Sequence, residues 1–131
     1  MRFTPSRLVT GVLAVVALST VAPAPASAAT PRNGVCEQGE FCLFRDADFT
    51  GMVMDWAQGA DDDRYADNHY PSGYYLDDTT SSVWNRSSCK VSIWQHRFFG
   101  DPGISLAAGA RTNTAGTPLG DNLASSHNAC V

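Results

Sequence analysis

Two stretches of this 131-residue chain gather the oxygen-bearing side chains from which a site for a hard cation can be made. Asp77-Asp78-Thr79-Thr80-Ser81-Ser82 and Asp121-Asn122-Leu123-Ala124-Ser125-Ser126 both fit the pattern (Asn/Asp)-(Asn/Asp)-X-X-(Ser/Thr)-Ser. Calcium is bound by carboxylate, amide, hydroxyl and backbone carbonyl oxygens, about six to eight at a time. A turn that exposes a carbonyl between an acid and a hydroxyl supplies several of these. Neither stretch can fill the shell alone, so each site has to borrow oxygens from elsewhere. Asp, Thr and Ser also form turns for their own reasons, and one copy would carry no more meaning than that. The recurrence at matching places in a repeat is what points to calcium, at up to two sites. Asp61-Asp62-Asp63 reads instead as a solvated acidic turn.

Other chemistries lack their residues. The chain has no Gly-X-Ser-X-Gly, no His-Glu-X-X-His and no phosphate-cradling loop, so it reads as a non-enzyme. His69, His96 and His127 are scattered and no Cys-X-X-Cys occurs, which argues against zinc. The four cysteines, Cys36, Cys42, Cys89 and Cys130, are read as two disulfides of an exported protein. Three pairings are possible. The favoured one is Cys36–Cys42, closing a tight loop, with Cys89–Cys130 tying the C-terminus to mid-chain.

The N-terminus accounts for the export. Arg2 and Arg7 precede an apolar run, Leu8 to Leu18, too short to cross a bilayer, and Ala26-Ser27-Ala28 offers a cleavage site. Residues 1–28 are therefore expected to be a signal peptide, leaving a secreted, extracellular chain with no membrane segment. The net charge is −4, and removal of Arg2 and Arg7 takes it to −6. An acidic surface disfavours nucleic acid.

The elements that must position the two loops are short strands. Phe41–Phe44, Gly51–Trp56, Ser81–Asn85, Lys90–Trp94 and Ile104–Ala107 are apolar or alternating runs between Gly, Pro, Asn and Asp clusters, as in an antiparallel sandwich. No amphipathic helix is evident. Residues 29–34 read as a loose lead-in, and residues 61–75 as a long acidic, tyrosine-rich connection. The segment Phe44-Arg45-Asp46-Ala47-Asp48-Phe49-Thr50-Gly51 returns weakly as Ile93-Trp94-Gln95-His96-Arg97-Phe98-Phe99-Gly100. Each is followed about thirty residues later by one acid-hydroxyl loop. Two copies of four strands, one domain long, fit two Greek keys packed face to face.

An aromatic-X4-aromatic-X-Gly segment followed by that acid-hydroxyl motif resembles the βγ-crystallin superfamily over nearly all of residues 41–130. The resemblance implies an all-β domain over 41–131: two Greek keys, about 41–86 and 90–130, after a lead-in over 29–40. It implies folded hairpins with Gly51 and Gly100 as structural glycines. Ser82 and Ser126 would hydrogen-bond to the hairpins. Ser81 and Ser125 would be hydroxyl ligands, Thr79 and Leu123 carbonyl ligands, and Asp78 and Asn122 side-chain ligands, with Asp77 and Asp121 leading the loops. Each calcium would be shared between the halves and completed by the carbonyl of Arg45 or Gln95. The second hairpin departs from the pattern. With Trp94 as first aromatic, Phe99 is in place but Gly100 comes one residue early; with Ile93 first, Phe98 and Gly100 fit, but Ile93 is not aromatic.

The leader, the length, the Cys-X5-Cys pair and Ser-Ser-Val-Trp-Asn-Arg further resemble a bacterial family of secreted peptidase inhibitors that includes metalloproteinase inhibitors. That implies a monomeric module presenting a rigid loop to a secreted protease. The candidate segment is residues 86–91, centred on Cys89, Lys90 and Val91. The other reading is a calcium-stabilised secreted module with a structural, wall-associated or toxin-like role and no inhibitor activity.

Overall fold

The computed structural model describes residues 19–23 and 28–131, so most of the expected signal peptide lies outside the described residues. Seven strands form two antiparallel sheets. They are β1 (Glu40–Asp46), β2 (Thr50–Ala57), β3 (Ser82–Asn85), β4 (Val91–His96), β5 (Gly100–Leu106), β6 (Arg111–Asn113) and β7 (Ser126–Ala129). One sheet has the order β2-β1-β3-β6 and the other β5-β4-β7.

Side-chain alternation explains which face each strand buries. Phe41 and Leu43 of β1, Met54 and Trp56 of β2, and Val83 of β3 enter the core. Val91 and Ile93 of β4 and Leu106 of β5 meet them from the other sheet. Phe41 pairs with Trp56 and Asn85, and Leu43 with Met54 and Val83, so apolar partners lie side by side in one layer.

The two halves exchange edges. β6, from the second half, completes the first sheet through Ser82↔Asn113 and Trp84↔Arg111. The reciprocal strand of the first half is reduced to a single bridge, Asp62↔His127. Four strands per half was the expectation. The first half falls short because its connection turns inward rather than extending along β7. A short 3-10 turn, Tyr65–Asp67, follows the bridge. Tyr65, Tyr70 and Leu76 from this connection are buried in the core cluster. Asp62 is likewise no free surface acid. It accepts from Asn68 Nδ2 at 2.8 Å, and burial holds its carboxyl above the ordinary value.

The lead-in is docked, not loose. Asp55, wholly buried on the outer side of β2, accepts the Gly34 N–H at 2.9 Å and the Asn33 N–H at 3.3 Å. The Arg32 N–H donates to the Asp55 carbonyl at 3.0 Å. Disulfides join Cys36 to Cys42 and Cys89 to Cys130, with Cα separations of 5.8 and 4.9 Å. No free cysteine remains among the described residues.

Candidate functional site

The two hairpins fold back in the same way. Each first strand has an irregular register before its turn, between Phe44 and Asp46 and between Trp94 and His96. Asp48 and Phe49 take φ of 58° and 60°, and Phe98 and Phe99 take the same two values. One serine from the acid-hydroxyl loop fastens each turn. Ser82 Oγ–H donates to the Asp46 carbonyl at 2.6 Å and accepts the Phe49 N–H at 3.0 Å. Ser126 Oγ–H donates to the His96 carbonyl at 2.6 Å and accepts the Phe99 N–H at 3.1 Å.

This fixes the alignment of the halves. Gly51 has φ +79°, and a Cβ there would collide with the Asp46 carboxylate. Its counterpart, counting from the fastened turn, is Asp101 and not Gly100, which has no left-handed φ. The second hairpin needs a glycine at Gly103. There a Cβ would meet the Ile93 carbonyl and the Trp94 ring, which lies over it.

The acid-hydroxyl loops are brought together across the boundary between the halves. The Asp78 N–H donates to the Ala124 carbonyl at 3.2 Å, and the Asn122 N–H donates to the Thr80 carbonyl at 3.0 Å. Asp78 and Asn122 have φ of 55° and 56°, a left-handed conformation that Asp and Asn tolerate best among residues with side chains. Their side chains then cross. Ser81 Oγ–H donates to Asn122 Oδ1 at 3.1 Å, and Ser125 Oγ–H donates to Asp78 Oδ1 at 3.3 Å. The hydroxyl of one half thus meets the amide or carboxylate of the other.

Two clefts result. The first, about 360 Å³, is lined by Arg45, Asp46, Asp78, Thr79, Ser81 and Asn122. The second, about 280 Å³, is lined by Arg64, Ala66, Asp77, His96, Arg97 and Ser125. Asp77 Oδ1 is buried without a hydrogen-bond partner. Burial, and then the neighbouring Asp77 charge, raises the Asp78 carboxyl above its ordinary value. The arginines at the clefts have other partners: Arg45 lies 5.6 Å from the Tyr74 ring centre, Arg97 5.9 Å from that of Phe98, and Arg64 is paired with Asp67. No group of three or more His, Cys, Asp or Glu occurs among the described residues, so any cation here would rely on hydroxyl, amide and backbone oxygens beside the carboxylates of Asp77 and Asp78. Such oxygen donors suit calcium, and the unpartnered Asp77 oxygen gives it charge to neutralise.

Other expected ligands have side-chain partners of their own. Gln95 Nε2 donates to the Leu119 carbonyl at 3.2 Å, while the oxygen expected from Gln95 is its backbone carbonyl; its neighbours His96 and Arg97 line the second cleft. The Asp121 carboxylate accepts from Thr114 Oγ1 and Asn122 Nδ2, both at 3.3 Å. The oxygen expected from Leu123 is likewise its backbone carbonyl, and its side chain packs against Gly120.

The segment proposed to meet a protease lies at the other end of the sheets, after β3 runs from Ser82 to Asn85. Asn85 is fully buried and ties it down: Nδ2 donates to the carbonyls of Cys89, Leu106 and Ala107 at 2.7, 3.1 and 3.1 Å. Ser88 Oγ–H donates to Gln58 Oε1 at 2.9 Å. Cys89 is half-buried and Lys90 exposed. Val91, however, is fully buried in β4 opposite Leu106 and Ala129, so it cannot enter a protease pocket. His127, in sequence only one of three scattered histidines, is buried between Phe41, Trp56 and Tyr65.

Paired hairpins, each fastened by a serine and packed as exchanged Greek keys, define a βγ-crystallin fold. Solved structures similar to this chain carry it. One, described as "Evolution of the eye lens beta-gamma-crystallin domain fold", has TM-score 0.59 and 21% identity over 72% of this chain and 91% of that one. The N-terminal domain of protein S has TM-score 0.52 and 25% identity, over 68% and 92%. A βγ-crystallin from Ciona intestinalis has TM-score 0.54 and 21% identity, over 70% and 99%. Among curated proteins none matches. The family model of peptidase inhibitor family I36 matches residues 29–105, more than half of the chain, and the chain belongs to that family. The match takes in the docked lead-in, both strands of each hairpin and the first acid-hydroxyl loop, and ends before the second.

Proposed function

We propose that this protein is a secreted peptidase inhibitor whose two halves are clamped together by calcium at the crossed loops. The observation that carries the inhibitor reading is membership of peptidase inhibitor family I36. The two disulfides agree with an oxidising, extracellular setting. Inhibition by loop presentation needs a segment that is already ordered, because ordering a loop on binding subtracts from affinity. The end of the sandwich that carries both disulfides meets that need: Asn85 Nδ2 reaches the carbonyls of Cys89, Leu106 and Ala107, Cys89 is tied to Cys130, and Cys36 to Cys42. The work of this end is binding and exclusion, with no chemical step assigned to the inhibitor.

Calcium, when bound, would supply positive charge where Asp77, Asp78, Ser81, Asn122 and Ser125 converge. Ser81 with Asn122 and Ser125 with Asp78 would hold one ion each, with backbone oxygens of Thr79 and Leu123 as further donors. The carbonyl of Arg45 would complete the first site, and Gln95 or its neighbour His96 the second. Because each site draws on both halves, the ion favours the assembled fold over the unfolded chain.

The test is a peptidase panel with metallo- and serine endopeptidases, run with calcium and with chelator. Loss of activity of at least one peptidase supports the reading. No effect on any, together with a calcium-dependent rise in melting temperature, would leave a calcium-stabilised module without inhibitor activity.

A further inference from the structure

We propose that residues 32–38, a strap with Val35 at its crest, form the surface that enters the peptidase, and that the partner is an endopeptidase whose main pocket takes a small branched aliphatic side chain. This rests on the inhibitor reading above and locates the contact within it. An inhibitory loop must project, keep its shape when free, and offer a side chain that a pocket can desolvate.

Val35 meets the last need. It is 55% exposed, although apolar, and it immediately precedes Cys36 of the Cys36–Cys42 disulfide. Of the other exposed large apolar groups, Tyr74, Tyr75, Phe98, Phe99 and Leu123 belong to the connection, hairpin and loop around the two clefts, and Val131, 56% exposed, is the last residue, after Cys130, with no chain beyond it in this sequence to brace it on both sides. Residues 86–90 expose Ser88 and Lys90 but no apolar side chain.

The strap is held on both sides of Val35. Before it, Arg32 and Gly34 have left-handed φ of 62° and 81°, which lift the chain into a bend. The buried Asp55 fixes that bend through the N–H groups of Asn33 and Gly34. Asn33 Oδ1 accepts the Val35 N–H at 2.8 Å, and Asn33 Nδ2 donates to Glu37 Oε2 at 3.3 Å, so one side chain spans the crest. After it, Glu37 N–H donates to Glu40 Oε2 at 2.8 Å, and the Arg86 guanidinium donates to the Cys36 carbonyl at 2.6 Å. The last bond joins the strap to residues 86–90, which back it as a polar flank. Valine is stiff at χ1, so its docking costs little further ordering.

The chain without its signal peptide is titrated against an elastase-type serine endopeptidase and a thermolysin-type metalloendopeptidase, beside Val35→Asp, Val35→Ile and Lys90→Ala. For a peptidase that the wild type inhibits, Val35→Asp raises the inhibition constant about 100-fold, as loss of a central pocket contact does, while the other two change it less than about fivefold. An unchanged melting temperature for Val35→Asp shows that the loss is not one of folding. If Val35→Asp inhibits as tightly as wild type, or Lys90→Ala alone abolishes inhibition, the strap is not the contact and this inference falls while the inhibitor reading stands. If the wild type inhibits neither these nor any peptidase of the wider panel, the reading and the inference fall together.

Discussion

Ser82 and Ser126 each satisfy two backbone groups with one hydroxyl, and that economy makes them sensitive positions. Ser82→Ala leaves the Phe49 N–H and the Asp46 carbonyl without their partner. An expected loss of about 1–3 kcal/mol, measured by urea unfolding, follows from the cost of unpaired polar groups. His127 is a second such residue. Its Nε2 lies 2.9 Å from the Ala60 carbonyl, so it carries the proton, and Nδ1 accepts from Tyr65 Oη at 2.9 Å. Burial lowers its pKa from 6.5 to about 4. Between those values the unfolded chain binds the proton and the folded one does not, so stability falls as pH falls from 6.5 towards 4. The loss from this group is about 3 kcal/mol in all. An NMR titration should find the ring neutral at pH 5; a ring that titrates near 6.5 would contradict it. The oxygen donors and the hydroxyl of each loop were readable from sequence because the motif occurs twice. The crossing of Asp78 to Ser125 and of Asn122 to Ser81 was not, because it depends on left-handed φ at two residues. Nor was the burial of Val91, since one valine after an exposed lysine reads equally well as surface or core.

The strands with apolar alternation were legible: β1, β2, β3 and β4 lie within one or two residues of the expected runs. β6, Arg-Thr-Asn, was not, because three polar residues at a sheet edge carry no pattern. The reduced third strand of the first half was not legible either, because Tyr65 and Tyr70 could equally have been rim residues. Both disulfides join the paired cysteines that the sequence favoured, and they differ in what they close. Their separations are 6 and 41 residues. On the chain-entropy model the short loop contributes about 2 kcal/mol and the long one about 4 kcal/mol. Replacing Cys89 and Cys130 by Ala should therefore lower stability about twice as much as replacing Cys36 and Cys42. Unfolding curves in urea measure both. An equal loss would show that the short bridge also holds the strap in a way the unfolded chain does not share.

At the scale of the molecule, the two proposed functions fall at opposite ends of the same strands. β1 and β3 reach the crossed loops at Asp46 and Ser82 and the braced loops at Glu40 and Asn85. Calcium at one end would stabilise the sandwich by about 2.7 kcal/mol per site at a hundredfold excess over Kd. Ser81→Ala with Ser125→Ala should remove most of the calcium-dependent rise in melting temperature, read by calorimetry; an unchanged rise would overturn the ligand assignment. The end proposed to meet a peptidase lies away from the proposed calcium sites, so inhibition at room temperature should survive in the double variant. The proposed activity of the molecule is to block a peptidase. Titration of the folded protein into fixed amounts of metallo- and serine endopeptidases tests it. The activity of at least one should fall linearly to zero near one equivalent. Full activity of every peptidase at about tenfold molar excess would contradict it.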